Sequence, residues 1–240
     1  MQQNLRVLRY AQPTDDLNAT NDYEFELAGS LPKVQGTTIM WEQYRLHQLN
    51  HWIFDLDGTL TISAHDFEYI RDKLGLDANA PILEALNAMP EEQAAPLWES
   101  LNEMEEYFAG KASLMHGAIE LLQKLRARGA RLAILTRNTM PVVEKTLLTC
   151  GIEHFFPREQ ILDRDSCIPK PSPDGIRHLL DYWQTDADDT VMVGDYLYDL
   201  QAGKGAGVTT IHLDRQGEFA WPEVADICIR EFAEIEQLVG

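Results

Sequence analysis

Short apolar runs alternate along most of the chain with stretches whose apolar residues recur at helical spacing. The runs are four or five residues long, too short for helices, and the clearest ones end at polar residues or glycine, as buried strands do. Strands that alternate with helices predict a parallel sheet joined by crossover helices. The predicted strands are His51–Phe54, Arg131–Leu135, Thr190–Val193 and Val208–His212, with weaker candidates at Gln160–Leu162 and Asp226–Ile229.

Three helices are predicted between these strands from apolar spacing and from residues that favour helix ends. The first covers Leu114–Arg128 and closes on Gly129. The second begins after Thr139, whose hydroxyl is expected to cap it, and ends at Gly151. The third opens at Ser172-Pro173 and continues through Trp183. The predicted fold class is therefore α/β, a three-layer Rossmann-like parallel sheet with helices on both faces.

One stretch, residues 65–110, has helical patterns and no strand, and it predicts an all-helical insert after the first strand. The predicted domains are an N-terminal extension at residues 1–50, a core domain at residues 51–64 and 111–240, and a helical cap at residues 65–110. The cap carries 11 acidic and 2 basic residues. Ligands bind at the carboxyl ends of parallel strands, so an insert that follows the first strand is placed to form a lid.

The two cations of this insert, Arg71 and Lys73, have two interpretations. The favoured one is that both are solvated helix residues that pair with Glu68 or Asp77. The other is that they meet a second anionic group of a substrate, such as a carboxylate.

Composition narrows the choice of partners and compartment. The chain has 20 basic and 39 acidic residues in 240, a net charge of −19, which repels nucleic acid and anionic membranes. Its three cysteines include no CxxC pair, which argues against a disulfide framework and a zinc site. No apolar run is long enough to span a bilayer and no signal pattern opens the chain, so we expect a cytoplasmic protein.

Polar side chains that suit phosphate chemistry follow successive predicted strands. Each has an ordinary role as a turn, capping or surface residue, and their joint occurrence at one edge of the sheet is what favours a site. These residues are Asp55, Asp57, Thr136, Lys170, Asp195 and Asp199.

Chemistry gives most of these residues a role in attack on a phosphate ester. Asp55, fixed at a strand end, is the candidate nucleophile that forms an aspartyl-phosphate, and Asp57 can protonate the leaving alcohol and later deprotonate water. Asp195 offers a hard oxygen to Mg²⁺ shared with Asp55. Lys170 supplies a cation and Thr136 a hydroxyl for the phosphate. Clustered carboxylates repel one another, so the site calls for a metal ion.

Four segments of the chain resemble, in order and spacing, the four motifs of the haloacid dehalogenase-like hydrolases. The likeness covers about residues 51–238, and the helical insert lies where this family has its C1 cap, as in phosphoglycolate-phosphatase-like members. The segments are Phe54–Thr61, Leu132–Thr136, Lys170-Pro171 and Val193–Asp199.

The resemblance implies a magnesium-dependent phosphatase of a small phosphorylated metabolite. It implies a nucleophilic Asp55, an acid/base Asp57, phosphate contacts from Thr136 and Lys170, magnesium held by Asp55, the Asp57 backbone carbonyl and Asp195, and a supporting acid at Asp199.

Arg137 departs from the family pattern, which often has a small or amide side chain after the threonine. Its side chain either reaches the substrate or points away and leaves only its N–H for the phosphate, and the second arrangement is favoured.

Three other functions compete with the phosphatase. A phosphomutase on the same scaffold is the closest alternative, although the short lid argues against one because a mutase must exclude water. A non-catalytic regulatory module is disfavoured because all the proposed catalytic groups are present. A dehalogenase has no leaving alcohol to protonate, so Asp57 counts against it.

Overall fold

A computed structural model of the protein describes residues 44–62, 64 and 66–239. It contains a six-stranded parallel sheet with helices on both faces and a helical insert that follows the first strand, so the predicted fold class is confirmed. Residues 1–43 of the predicted N-terminal extension, and residue 65 at the start of the predicted cap, lie outside the described residues.

The elements follow the predicted alternation. The strands are β1 His51–Phe54, β2 Thr61–Ile62, β3 Ser113–Leu114, β4 Arg131–Leu135, β5 Ile161–Leu162, β6 Thr190–Gly194, β7 Thr209–Leu213 and β8 Ile227–Ile229. The helices are α1 Phe67–Leu74, α2 Ile82–Asn87, α3 Glu91–Ala109, α4 Ala118–Ala127, α5 Met140–Cys150, α6 Asp174–Trp183, α7 Leu197–Ala206 and α8 Ala233–Glu236. Within the described ranges, none of these helices has the length and apolar character needed to cross a bilayer.

The strand order of the main sheet places β1 at the point where the chain reverses direction across the sheet. The order is β5-β4-β1-β6-β7-β8, and every neighbouring pair is parallel. The chain moves outward from β1 to β5 and then returns to the other side of β1 to form β6. Parallel sheets bind ligands in the crevice at such a reversal, beyond the carboxyl ends of the strands. In the register, Phe54 at the end of β1 lies level with Ile134 and Val193.

The sheet is buried on both faces, which explains why its strands are continuous apolar runs. Successive side chains of a strand point to opposite faces. Trp52 and Phe54 of β1 therefore pack with α4, α5 and α8, whereas Ile53 packs with α6 and α7.

The insert consists of α1, α2 and α3 and has a small core of its own. Asp66 caps α1 by accepting a hydrogen bond from the Tyr69 backbone N–H at 2.9 Å, and α1 ends at Gly75, which has a left-handed backbone. The core of the insert is formed by the buried residues Ile70, Leu74, Leu86 and Leu101.

Two local predictions were wrong. The helix predicted to begin at Leu114 begins at Ala118, because Leu114 instead pairs with Thr61 in the antiparallel β2–β3 ladder. The hydroxyl of Thr139 does not cap α5. The carboxylate of Asp163, the first residue after β5, caps the helix instead by accepting a hydrogen bond from the Met140 backbone N–H at 3.0 Å. Both differences come from contacts between segments that are separate in the sequence.

Candidate active site

Asp55 is the first residue after β1, and the sheet holds its backbone in place. Its N–H donates to the carbonyl of Val193 at 2.9 Å, which continues the hydrogen-bond pattern between β1 and β6. The residue is only 8% exposed. Burial raises the pKa of the Asp55 carboxyl well above its ordinary value, although the neighbouring ammonium of Lys170 opposes that rise.

Lys170 joins two carboxylates in the interior of the protein. Its Nζ lies 2.5 Å from Oδ1 of Asp55 and 2.6 Å from Oδ1 of Asp199, and the residue is 3% exposed. Burial alone lowers the pKa of a lysine, but Asp199 and Asp55 outweigh it, so the pKa of Lys170 is raised. Lys170 is therefore a fixed cation beside the carboxylate of Asp55.

Three carboxylates meet beyond the ends of β1 and β6. Asp55, Asp195 and Asp199 each present one oxygen, and these oxygens all lie within 4.8 Å of one another. Asp195 accepts from the Thr59 hydroxyl at 3.1 Å, and Asp199 accepts from the Tyr196 backbone N–H at 3.0 Å. Burial, reinforced by the charge of Asp199, raises the pKa of Asp195 to about 7. The cluster is thus an electrostatically crowded group of oxygen ligands.

Gly58 lets the loop after β1 lie directly against Asp195. Its φ of 88° belongs to the left-handed region that side chains other than glycine rarely adopt. A Cβ at this position would lie 2.2 Å from Oδ2 of Asp195, far inside contact distance. The glycine therefore permits both the turn and the approach of the loop to the carboxylate cluster.

Asp57 faces a side chain that the sequence analysis did not single out. The Asn138 amide donates to Oδ2 of Asp57, and the Thr61 hydroxyl donates to its Oδ1 at 3.4 Å. Asn138 stands two residues after Thr136 in the loop that follows β4. The strands β1 and β4 are neighbours in the sheet, so the loops that follow them are close together. This nearness was the one signal that could have indicated the contact between Asn138 and Asp57.

Thr136 lies at the end of β4 and is 4% exposed. Its backbone N–H donates to the carbonyl of Leu162 at 3.0 Å, and its hydroxyl oxygen accepts from the Asn138 backbone N–H at 3.2 Å. Thr136 lines the same cavity as Asp55, Asp57 and Lys170. The structure therefore places together the groups that the sequence analysis assigned to one site.

The cavity, of about 400 Å³, lies between the strand ends and the insert. Its volume is in the range of small-molecule sites. Its wall on the insert side is mainly apolar and contains Phe67, Ile70, Pro81, Ile82, Leu83 and Leu101.

Arg137 lines this cavity, but its guanidinium is already paired. It forms an ion pair with Glu84 of α2 and lies 5.1 Å from the ring centre of Tyr198. Sequence reasoning could not find this partner, because Glu84 belongs to the insert and is 53 residues distant. The side chain thus joins the insert to the loop after β4.

The model of the family described as haloacid dehalogenase-like hydrolase matches residues 52–213, which include β1, the insert and every strand through β7. The chain belongs to this family. The match covers more than half of the chain and includes all seven residues predicted for the site.

The three proteins that follow are 24–28% identical to this hydrolase over the aligned residues. A haloacid dehalogenase-like hydrolase domain-containing protein of Arabidopsis thaliana is 28% identical over 179 residues, covering 70% of this chain and 71% of the plant protein. A phosphoglycolate phosphatase of Pectobacterium atrosepticum is 27% identical over 214 residues, covering 78% of this chain and 91% of that enzyme. The crystal structure of CbbY from Rhodobacter sphaeroides in complex with phosphate has a TM-score of 0.61 at 24% identity, covering 78% of this chain and 96% of that one. The likeness to CbbY shows a common fold.

The donor set of the hydrolase fits a hard divalent cation. Carboxylate oxygens that lie within 4.8 Å of one another are the kind of ligand that Mg²⁺ accepts, and among the described residues the cluster includes none of the cysteine and histidine ligands typical of zinc. A cation there would offset both the burial of the Asp195 carboxylate and its repulsion from Asp199, the two causes of its raised pKa.

Proposed function

We propose that this hydrolase is a Mg²⁺-dependent phosphatase that acts on a small phosphorylated metabolite through an aspartyl-phosphate on Asp55. The observation that carries the proposal is the convergence of the Asp55, Asp195 and Asp199 carboxylates beside the ammonium of Lys170, in a cavity at the strand ends. This arrangement combines a nucleophile, a cation for the phosphate and a set of metal ligands.

In the first step, a carboxylate oxygen of Asp55 attacks phosphorus, and the bond between phosphorus and the ester oxygen breaks. Asp57 gives its proton to the departing oxygen, so the leaving group departs as an alcohol. Lys170 holds Oδ1 of Asp55 at 2.5 Å and so fixes the orientation of the nucleophile. The Asn138 amide holds Asp57 in the same way.

In the second step, Asp57 accepts a proton from water as the water oxygen attacks the phosphorus of the aspartyl-phosphate. The bond between phosphorus and Asp55 breaks, inorganic phosphate forms, and both carboxyl groups return to their starting states. The Thr136 hydroxyl and the backbone N–H of Arg137 donate to the phosphate oxygens, together with the ammonium of Lys170.

The metal ion would be held by the carboxylates of Asp55 and Asp195 and by the backbone carbonyl of Asp57, with Asp199 as a supporting acid. When bound, Mg²⁺ neutralises charge on the nucleophile and on the phosphate. Asp199 accepts hydrogen bonds from the ammonium of Lys170 and from the Tyr196 N–H. It thereby fixes Lys170 in its position beside Asp55.

A metal-dependent assay of phosphate release tests the proposal. Asp55→Asn keeps the size of the side chain and removes the nucleophile, so we expect turnover of p-nitrophenyl phosphate to fall by at least about 10³-fold. Asp188→Asn is the matched control, because Asp188 is exposed and precedes β6 at the opposite edge of the sheet. Activity of Asp55→Asn equal to that of the control would exclude the mechanism. Conversion of sugar phosphates without phosphate release would identify a phosphomutase instead.

A further inference from the structure

Among the residues that the structure describes, the charged groups that line the cavity have partners, with one exception. Lys170 pairs with Asp55 and Asp199, and Arg137 pairs with Glu84. Glu105 pairs with Arg164, which lies just outside the cavity, at 2.5 Å. Asp57 accepts a hydrogen bond from Asn138, and Asp195 accepts one from Thr59. The exception is Arg71 of α1.

Arg71 is half-buried and lines the cavity. Its Nε is buried without a hydrogen-bond partner, and the guanidinium forms no ion pair with any residue that the structure describes. The favoured expectation, that Arg71 pairs with Glu68 or Asp77, is therefore not met among the described residues. An N–H donor withdrawn from water without an acceptor is costly, so the buried Nε favours binding of an acceptor here, and the positive charge of the guanidinium favours an anionic one.

The surroundings of Arg71 limit what that anion can be attached to. The neighbouring wall of the cavity is formed by apolar side chains, including Phe67, Ile70 and Leu101, which offer no hydrogen bonds to hydroxyl groups. A guanidinium presents a planar pair of donors that matches a carboxylate or a phosphate. The cavity joins this guanidinium to Asp55 within about 400 Å³.

We propose that Arg71 determines specificity by binding a second anionic group on the leaving alcohol. The substrates are phosphate monoesters whose short carbon chain has few hydroxyls and ends in a carboxylate or a second phosphate. This inference rests on the proposed function, since the transferred phosphate must lie at Asp55 while the second anion lies at Arg71.

Turnover of matched esters tests this specificity. Phosphoglycolate ends in a carboxylate, ethyl phosphate has the same carbon chain with a neutral end, and a propanediol bisphosphate carries a second phosphate. In Arg71→Gln we expect kcat/KM for the preferred anionic ester to fall roughly 10- to 100-fold, with ethyl phosphate changed by less than about twofold. The preferred ester in the unmodified protein tells whether the anion is a carboxylate or a phosphate.

Lys73→Gln is the control for this measurement, because it removes the same charge from an exposed position on the same helix. It is expected to leave the ratio between the esters unchanged. If Arg71→Gln lowers both kinds of ester equally, or neither, Arg71 does not bind the second anion.

Binding of non-hydrolysable phosphonates separates this inference from the proposed function. Phosphonoacetate and ethylphosphonate differ only in the terminal carboxylate, and calorimetry in the presence of Mg²⁺ gives their affinities without turnover. A loss of the preference for phosphonoacetate in Arg71→Gln supports the contact even if no ester is hydrolysed. Equal affinities of the two phosphonates, together with ester turnover that ignores the second anion, would reject the role of Arg71 while leaving the phosphatase intact.

Discussion

Replacing Gly58 with alanine tests whether the position of the Asp195 carboxylate controls metal binding. The added methyl group would lie 2.2 Å from Oδ2, 2.5 Å from Cγ and 2.8 Å from Oδ1 of Asp195. Gly75 provides a matched control. Its φ of 66° is also left-handed, but a methyl group there meets nothing within 4 Å. The difference between the two variants therefore isolates the collision with Asp195 from the backbone strain.

The size of the effect follows from these distances. Both alanines incur about 1–2 kcal/mol for a left-handed backbone. In Gly58→Ala, Oδ2 of Asp195 must also retreat from 2.2 Å to ordinary contact at 3.4 Å, a shift of about 1.2 Å. Because Oδ1 moves with the same carboxylate, we expect the 3.1 Å hydrogen bond that it accepts from the Thr59 hydroxyl, worth about 1 kcal/mol, to be lost. Mg²⁺ requires near-ideal octahedral geometry, so a ligand displaced this far should weaken Mg²⁺ binding by roughly 10- to 100-fold.

Titration calorimetry with Mg²⁺ and urea denaturation measure the two effects separately. We expect Gly75→Ala to lose stability but to bind Mg²⁺ with unchanged affinity, and Gly58→Ala to lose both. If Gly58→Ala binds Mg²⁺ as tightly as the unmodified protein, Asp195 is not a ligand in the arrangement described here, and the argument from the close approach fails.

Two further predictions concern charge. Because burial raises the pKa of Asp195 to about 7, protons compete with the metal for this carboxylate as the pH falls. Calorimetry should show Mg²⁺ affinity roughly tenfold lower at about pH 6 than at about pH 8, and an affinity independent of pH over this range would contradict the shift. Glu105 and Arg164 join α3 to the loop after β5, with side chains only 10% and 8% exposed. Glu105→Gln should lower the free energy of unfolding in urea by about 3 kcal/mol, because it leaves a buried guanidinium without its counter-charge. A double-mutant cycle with Arg164→Met that shows no coupling would refute this assignment.

Local sequence patterns were sufficient for most of the sheet. The apolar run His51–Phe54 and the run Arg131–Leu135 are the observed β1 and β4, because a strand buried on both faces leaves a continuous apolar signal. The strand ends also located the groups of the site, since parallel strands bring their carboxyl ends to one edge. The helix α5 ends at Gly151, as predicted, and this glycine has the left-handed backbone common at helix ends.

Contacts between distant segments could not be predicted in this way. The ladder that contains Thr61 and Leu114 has only two residues on each strand, too few to show a strand period in the sequence. The predicted helix was therefore extended to Leu114, which instead pairs with Thr61. The amide of Asn138 meets Asp57 across 81 residues. The partner of Arg137 lies in the insert. None of these contacts leaves a spacing pattern in the sequence, because each depends on how the insert and the loops pack.

The charge of the protein gives the local contacts their importance. A net charge of −19 repels an anionic ester at long range, so attraction must come from groups that touch it. Within the cavity, the carboxylates of Glu84 and Glu105 each form an ion pair with an arginine. The positive charge of that arginine offsets much of the repulsion between the carboxylate and an anionic ligand. Lys170 already forms ion pairs with Asp55 and Asp199, whereas Arg71 has no counter-charge in the described part of the chain. We therefore expect a second anion on the substrate to gain more from Arg71 than from Lys170 or Arg137, and we expect selection among phosphate esters to follow from that difference.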